Sequence, residues 1–144
     1  MAGAVSAGAY TAGVLDFLVE ALTAFEAEKA ARPGTYPWRV RIRVISGASA
    51  GAIVGAIFAS TLRPGIRPVR SQQPAAGASN PLFDAWVERV DISGLLGEAD
   101  LARAPLSSLL DSTALDRIAA EALAVNWAPG GPQLPAFVGG PLEL

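Results

Sequence analysis

The chain has 144 residues, of which 51% are hydrophobic, and a formal net charge of −2. That is enough apolar material for one modest globular core, alone or within a larger body, and too little positive charge for nucleic acid to be the principal partner. It contains no cysteine and no histidine, which excludes disulfide scaffolds, zinc–thiolate sites, cysteine nucleophiles and any Ser-His-Asp triad.

Residues 3–13, GAVSAGAYTAG, read as a glycine- and alanine-rich loop running into a helix. Val14, Leu15, Leu18, Leu22 and Phe25 then recur at helical spacing, with Asp16, Glu20 and Glu26 off that stripe. The Pro/Gly break ARPGTYP ends the helix. A strand follows, in which Val40, Ile42 and Val44 alternate with Arg39, Arg41 and Arg43, and Ile45 marks a deeper end. Residues 50–62 form a helix that is apolar nearly all round, which requires a central position. The uncharged stretch 44–62 has the length of a membrane span. Its three glycines and three serines, and its start inside the alternating run, predict a buried strand–turn–helix instead. No secretory leader is visible, because Met1 is followed by small residues without a basic segment.

The Pro/Gly/Ser-rich residues 63–80 predict a long flexible loop that is a lid, a binding loop or disordered. Asn80 is placed to cap a helix that opens with Pro81 and carries Leu82, Phe83, Trp86 and Val90. Residues 91–111 read as short helical turns. A helix over 113–125, capped by Ser112, carries Leu115, Ile118, Ala119 and Leu123. The remaining residues hold several breakers and no finished element. With one expected strand and a start inside a glycine-rich loop, the chain reads as a piece of a larger α/β sheet.

Eight basic residues and no acidic one lie between Lys29 and Arg70, and all thirteen carboxylates lie elsewhere. These are either solvated or helix-paired side chains or a basic rim that faces anionic head groups.

Gly47-Ala48-Ser49-Ala50-Gly51 places a G-x-S-x-G pattern between a strand and a helix. A nucleophile on such a turn has a strained backbone and an exposed hydroxyl, and glycine on both sides lets the chain approach itself. The following helix aims unpaired amides and a partial positive charge at the turn. The alternative is a small-residue turn that serves only helix–sheet packing. A serine needs a base, and without histidine the candidates are carboxylates; Asp84, Asp91, Asp100, Asp111 and Asp116 each read first as surface or capping residues. The amides of the first loop could hold an oxyanion. A phosphate cradle is the weaker reading, because the spacing of Gly3, Gly8 and Gly13 is not G-x-G-x-x-G and no Walker lysine is present.

Together these residues resemble the patatin-like phospholipase family, whose members carry a glycine-rich oxyanion loop, then G-x-S-x-G on a strand–helix elbow, then a dyad aspartate in a D-G-[GA] motif. SAGAYTAGVLDFL looks like the family's helix after the oxyanion loop, ISGASAGAIVGAIFAS like its elbow and buried helix, and LSSLLDSTALDRIA like a downstream segment of bacterial members. The resemblance implies a three-layer α/β sheet flanked by helices, of which residues 1–144 would be a part. It implies Ser49 as nucleophile, an elbow of Gly47, Ala48, Ala50 and Gly51, and an oxyanion loop of Gly3, Ala4, Val5 and Gly8. The family's G-G-G-x-[RK]-G falls on Gly3 to Gly8 with two glycines and the basic residue replaced. The implied reaction is hydrolysis of acyl esters of phospholipids or other lipids, with no metal or organic cofactor, and with peripheral contact to a membrane surface. No D-G-G or D-G-A occurs in the chain, so this chain alone is expected to be inactive. The competing expectation is a non-catalytic truncated fragment or degenerate paralogue that keeps only the fold of the elbow.

Overall fold

The computed structural model describes residues 5–62, 67–69, 80–90, 113–124 and 134–143. The first element, α1 (Val5–Ala31), begins nine residues before Val14, where the glycine-rich composition predicts its start. Alanine is the strongest helix former, and Ala7, Ala9 and Ala12 outweigh a cost of about 1 kcal/mol for each interior glycine. The inward face also differs from the predicted stripe. Ala12 and Leu22 are buried and Leu15 and Val19 pack beside them, whereas Val14 and Leu18 face outward. By length and composition alone, Ala7–Ala31 is long and apolar enough to cross a membrane.

The break after α1 is folded back onto the helix by an aromatic ladder. Phe25 and Tyr36 meet edge to face at 5.6 Å between centroids, and Tyr36 and Trp38 at 6.2 Å. Lys29 sits over the Phe25 ring and donates to the Trp38 carbonyl at 3.3 Å. Gly34, at φ 85°, supplies the left-handed residue that turns the chain.

The strand β1 (Ile42–Val44) is shorter than its alternating run, and it pairs in parallel with β2 (Val138–Glu143). That second strand lies where breakers argued against any finished element. Burial of Phe137 and Val138 holds it in place, and the Ile42 amide donates to the Phe137 carbonyl at 2.8 Å. Gly140 takes φ 84° in the irregular stretch between the Ile42–Val138 and Val44–Glu143 pairs. Gly139 leaves room for Arg41 and Arg43 to lie across β2, since a Cβ there would come within 3.2 Å of each. The architecture is therefore α/β, helix-rich with a small parallel sheet.

The centre of the core is α2 (Ala50–Thr61), as its composition predicts. Val54, Ile57, Phe58 and the following Leu62 are almost wholly inaccessible, each stabilising the fold by about 1.5–3 kcal/mol. Its buried hydroxyls are satisfied locally: Ser60 Oγ donates to the Ile57 carbonyl and Thr61 Oγ1 to that of Phe58, both at 2.7 Å. One helix, α3, covers this core as α-helical Pro81–Phe83 continuing into a wide π turn over Asp84–Arg89, where the Val90 amide reaches back five residues to the Ala85 carbonyl at 3.1 Å. The last helix, α4 (Thr113–Leu123), sets Ile118 into the core and joins α3 through an Arg89–Glu121 ion pair. Ser112, its predicted cap, and the short turns predicted over 91–111 lie outside the described residues.

Candidate functional site

Between β1 and α2 the chain turns on Ser49, whose backbone sits at φ 51° and ψ −127°. Among the described residues it is the one non-glycine with positive φ. Such a conformation costs about 1–3 kcal/mol and is held only where the surroundings impose it. One imposing contact is Gly47. A Cβ on that residue would fall 2.8 Å from the Ala52 nitrogen and closer still to the Gly51 carbonyl. The glycine therefore permits two stretches of backbone to touch.

Serine at a helix start normally accepts a bond from an amide of the first turn through its hydroxyl. Ser49 does not, although it occupies the cap position of α2. The turn is closed by backbone alone: the Gly51 amide donates to the Ala48 carbonyl at 2.9 Å, and the Ala52 and Ile53 amides to the Ser49 carbonyl at 2.9 and 3.3 Å. These three bonds do not engage the Ala50 amide, the first of the helix. Ala48 and Ser49 are exposed while Ala50 and Gly51 are buried, so the serine stands at the surface on a rigid base. Among the described residues no hydrogen bond joins Ser49 to a carboxylate.

The proposed oxyanion residues divide. Gly3 and Ala4 lie outside the described residues, Val5 opens α1, and Gly8 is buried one turn into it against the ring of Trp86. Of the candidate bases, Asp84 lies in the wide turn of α3 and Asp116 on the outer surface of α4, while Asp91, Asp100 and Asp111 are outside the described residues. Arg39 and Arg41 before β1, Arg43 within it and Arg67 in the segment 67–69 are exposed; Arg63 and Arg70 are outside the described residues.

Asp16 is the residue that sequence reasoning passed over. Its carboxylate is half-buried, and burial raises its pKa above the usual carboxylate value of 3.8, with the neighbouring Glu20 adding to the rise. Hydrogen bonds from the Asn80 amide group to Oδ1 and from the Val69 backbone N–H to Oδ2, both at 2.7 Å, act in the opposite direction. The signal was present in the sequence as spacing, since Ala12, Asp16 and Val19 share a helix face with the buried Leu22.

A family profile described as patatin-like phospholipase matches residues 1–136. The chain is also 40% identical over 137 residues to the uncharacterized protein y4iI of Sinorhizobium fredii (strain NBRC 101917 / NGR234), an alignment that covers 85% of this chain and 20% of that protein. The chain thus spans about one fifth of the length of that curated relative. No solved structure matches it.

Proposed function

Because the chain belongs to the patatin-like phospholipase family, we propose that it carries the nucleophile of a serine lipid acyl hydrolase acting through a Ser-Asp dyad. The observation that carries this reading is the uncapped, exposed Ser49 held at a positive φ. A serine kept for helix capping would have its hydroxyl on the first-turn amides, and a turn kept for packing alone would not retain about 1–3 kcal/mol of backbone strain. In the proposed reaction the Ser49 hydroxyl attacks the acyl carbonyl of a phospholipid or other lipid ester. The amide of Ala50 and those of the Gly3, Ala4 and Val5 loop stabilise the tetrahedral oxyanion, while the dyad aspartate takes the proton and returns it to the leaving alcohol. That aspartate belongs to a D-G-[GA] segment outside these residues, and β1 and β2 are two strands of the family's three-layer sheet. No metal or organic cofactor takes part. The arginines at 63, 67 and 70 form a basic rim against anionic head groups at a membrane surface.

A second reading, a non-catalytic chain that keeps the elbow for its fold, is favoured by the absence of a carboxylate bonded to Ser49 among the described residues. Labelling with a fluorophosphonate probe separates the two. Modification of this chain, or of a longer form of it that includes a D-G-[GA] segment, is expected to vanish in Ser49→Ala. No modification of either folded form would leave the packing reading standing. Replacing Arg63, Arg67 and Arg70 by alanine is expected to weaken binding to anionic vesicles, and unchanged binding would remove the basic rim.

A further inference from the structure

The outward face of α1 is uncharged. Every exposed position of this helix between residues 9 and 31 holds an uncharged residue, and its five charged side chains, Asp16, Glu20, Glu26, Glu28 and Lys29, are all partly buried. That inverts the usual pattern of a surface helix, whose charges face water. Tyr10 is 78% and Phe17 68% exposed, with Val14 between them on the same face. Val87 of α3 stands across a cavity of about 560 Å³ that is also lined by Gly13 and Phe17. Glycine is a poor residue for the interior of a long helix, yet a Cβ on Gly13 would meet nothing within 4 Å. Packing within one copy of the chain therefore does not account for it. Ala9, Gly13, Phe17 and Ala21 recur at four-residue spacing as one exposed ridge, in which an open notch lies one turn from an aromatic knob.

We propose that this face is a docking surface for a second copy of the same chain. A two-fold axis midway between Gly13 and Phe17 sets each Phe17 over Gly13 of the other copy and each Ala9 towards Ala21, so one patch is complementary to itself. The ring of Phe17 then enters the cavity over Gly13 beside Val87, and the small residues let the two backbones approach. The exposed ridge carries no charge, so no like charges meet at the axis. Tyr10, Val14, Phe17, Val87 and the small residues of the ridge expose about 500–600 Å² per copy. Two copies together therefore bury about 1,000–1,200 Å², where specific interfaces begin. A bilayer fits this face less well. Helices that lie in a membrane interface are rich in lysine and arginine, whereas α1 carries four carboxylates and one lysine, and a fluid apolar phase needs no notch. The proposal depends neither on Ser49 nor on the lipid reading.

Sedimentation equilibrium of the full chain over a range of concentrations is expected to show monomer and dimer in exchange, with a dissociation constant in the micromolar range. Phe17→Glu is expected to weaken the dimer at least about tenfold. Its far-UV circular dichroism should be unchanged, since Phe17 is exposed within one copy. The register is read by crosslinking, because the chain has no cysteine of its own. Gly13→Cys mixed with Phe17→Cys is expected to form disulfide-linked pairs faster than either variant alone. The axis sets position 13 against 17 and neither against itself, and a disulfide needs its two Cα atoms within about 7 Å. If Phe17→Glu does not fold, the crosslinking comparison carries the test. A folded chain that stays monomeric overturns the proposal, and would mean that a bilayer or a further stretch of polypeptide covers this face. A dimer indifferent to Phe17→Glu, assemblies larger than a dimer, or crosslinking no faster in the mixture would each overturn it too.

Discussion

Asn80 and Asp16 are joined by a 2.7 Å hydrogen bond across 64 positions of sequence. Asn80 is 1% exposed and every polar atom of its side chain is used: Oδ1 accepts from the Leu82 and Phe83 amides at 3.0 and 3.2 Å, and Nδ2 donates to Asp16 and to the Arg67 carbonyl. One side chain thus caps α3, binds α1 and holds the approach from 67–69.

Asn80→Ala removes the cap and takes the donor from a half-buried acceptor on Asp16. A cap is worth about 1 kcal/mol and an unsatisfied buried group costs about 1–3 kcal/mol. Urea unfolding is therefore expected to show a loss of about 2 kcal/mol or more. Asn80→Asp keeps the cap but turns a donor into a carboxylate facing Asp16. Its penalty is expected to be larger at neutral pH than in acid, and a penalty independent of pH would refute the pairing.

Asp16 itself gives a pH dependence of unusual sign. Its folded-state pKa lies above the unfolded value of 3.8, mainly because burial disfavours the charged form. Between those two values the folded chain binds more protons than the unfolded one, so the contribution of Asp16 to stability falls as pH rises through that window. A paired surface carboxylate does the reverse. Comparing wild type with Asp16→Asn by urea unfolding from below pH 3.8 to neutrality isolates this group, since the other carboxylates are common to both. The wild-type advantage is expected to shrink as pH rises, and a constant or growing advantage would contradict the burial.

Much of this was legible in the sequence, and the gaps have physical causes. The buried helix over residues 50–62, the Asn80–Pro81 start and the strand-to-helix turn were readable because composition and local spacing specify them. The early start of α1 was missed because Gly8 suggested a loop. That glycine answers instead to Trp86, a contact made across 78 positions that no local rule contains. The strand Val138–Glu143 was missed for a similar reason, since its pairing with β1 and the burial of Phe137 override a run of breakers. Asp16 was read only as lying off the apolar stripe, because its partners, Val69 and Asn80, come from remote segments. At the elbow, Gly47 and Ser49 were legible as a pattern, but that the serine forgoes its cap is a matter of backbone angle that spacing cannot carry.

The elbow predicts that Ser49→Gly is more stable than the native chain, which no ordinary N-cap would show. At an ordinary N-cap, serine to alanine costs about 1 kcal/mol and serine to glycine a few tenths. Here no cap is lost, so Ser49→Ala is expected to change stability by less than about 0.5 kcal/mol. Ser49→Gly relieves the positive φ and is expected to be more stable than Ser49→Ala by about 1 kcal/mol. Gly47→Ala drives a methyl into the Gly51 backbone, which has no side chain to yield, and is expected to cost about 2 kcal/mol or more. Thermal unfolding of the three variants decides: a Ser49→Gly chain less stable than wild type, with Ser49→Ala losing about 1 kcal/mol, would mean that Ser49 is an ordinary unstrained cap.

Two glycines of α1 give the sharpest contrast, because the same substitution should have opposite effects five residues apart. Gly13→Ala adds a methyl over open space and replaces a poor helix residue by the best, so a gain of about 0.5–1 kcal/mol is expected. Gly8→Ala offers the same gain in propensity, but its methyl would lie only 2.7 Å from Cη2 of Trp86 and closer to two other ring carbons. Trp86 is 4% exposed and part of the core, so the ring cannot swing aside without opening the contact between α1 and α3. Overpacking of this kind costs about 1–3 kcal/mol, which exceeds the propensity gain. Denaturant midpoints should therefore move up for Gly13→Ala and down for Gly8→Ala. Truncating the ring in Gly8→Ala/Trp86→Leu should recover part of the loss that the two single changes predict together, because the clash they share is removed. If instead both alanines stabilise equally, α1 does not lie against Trp86 as described, and the position of α3 over the core would need revision.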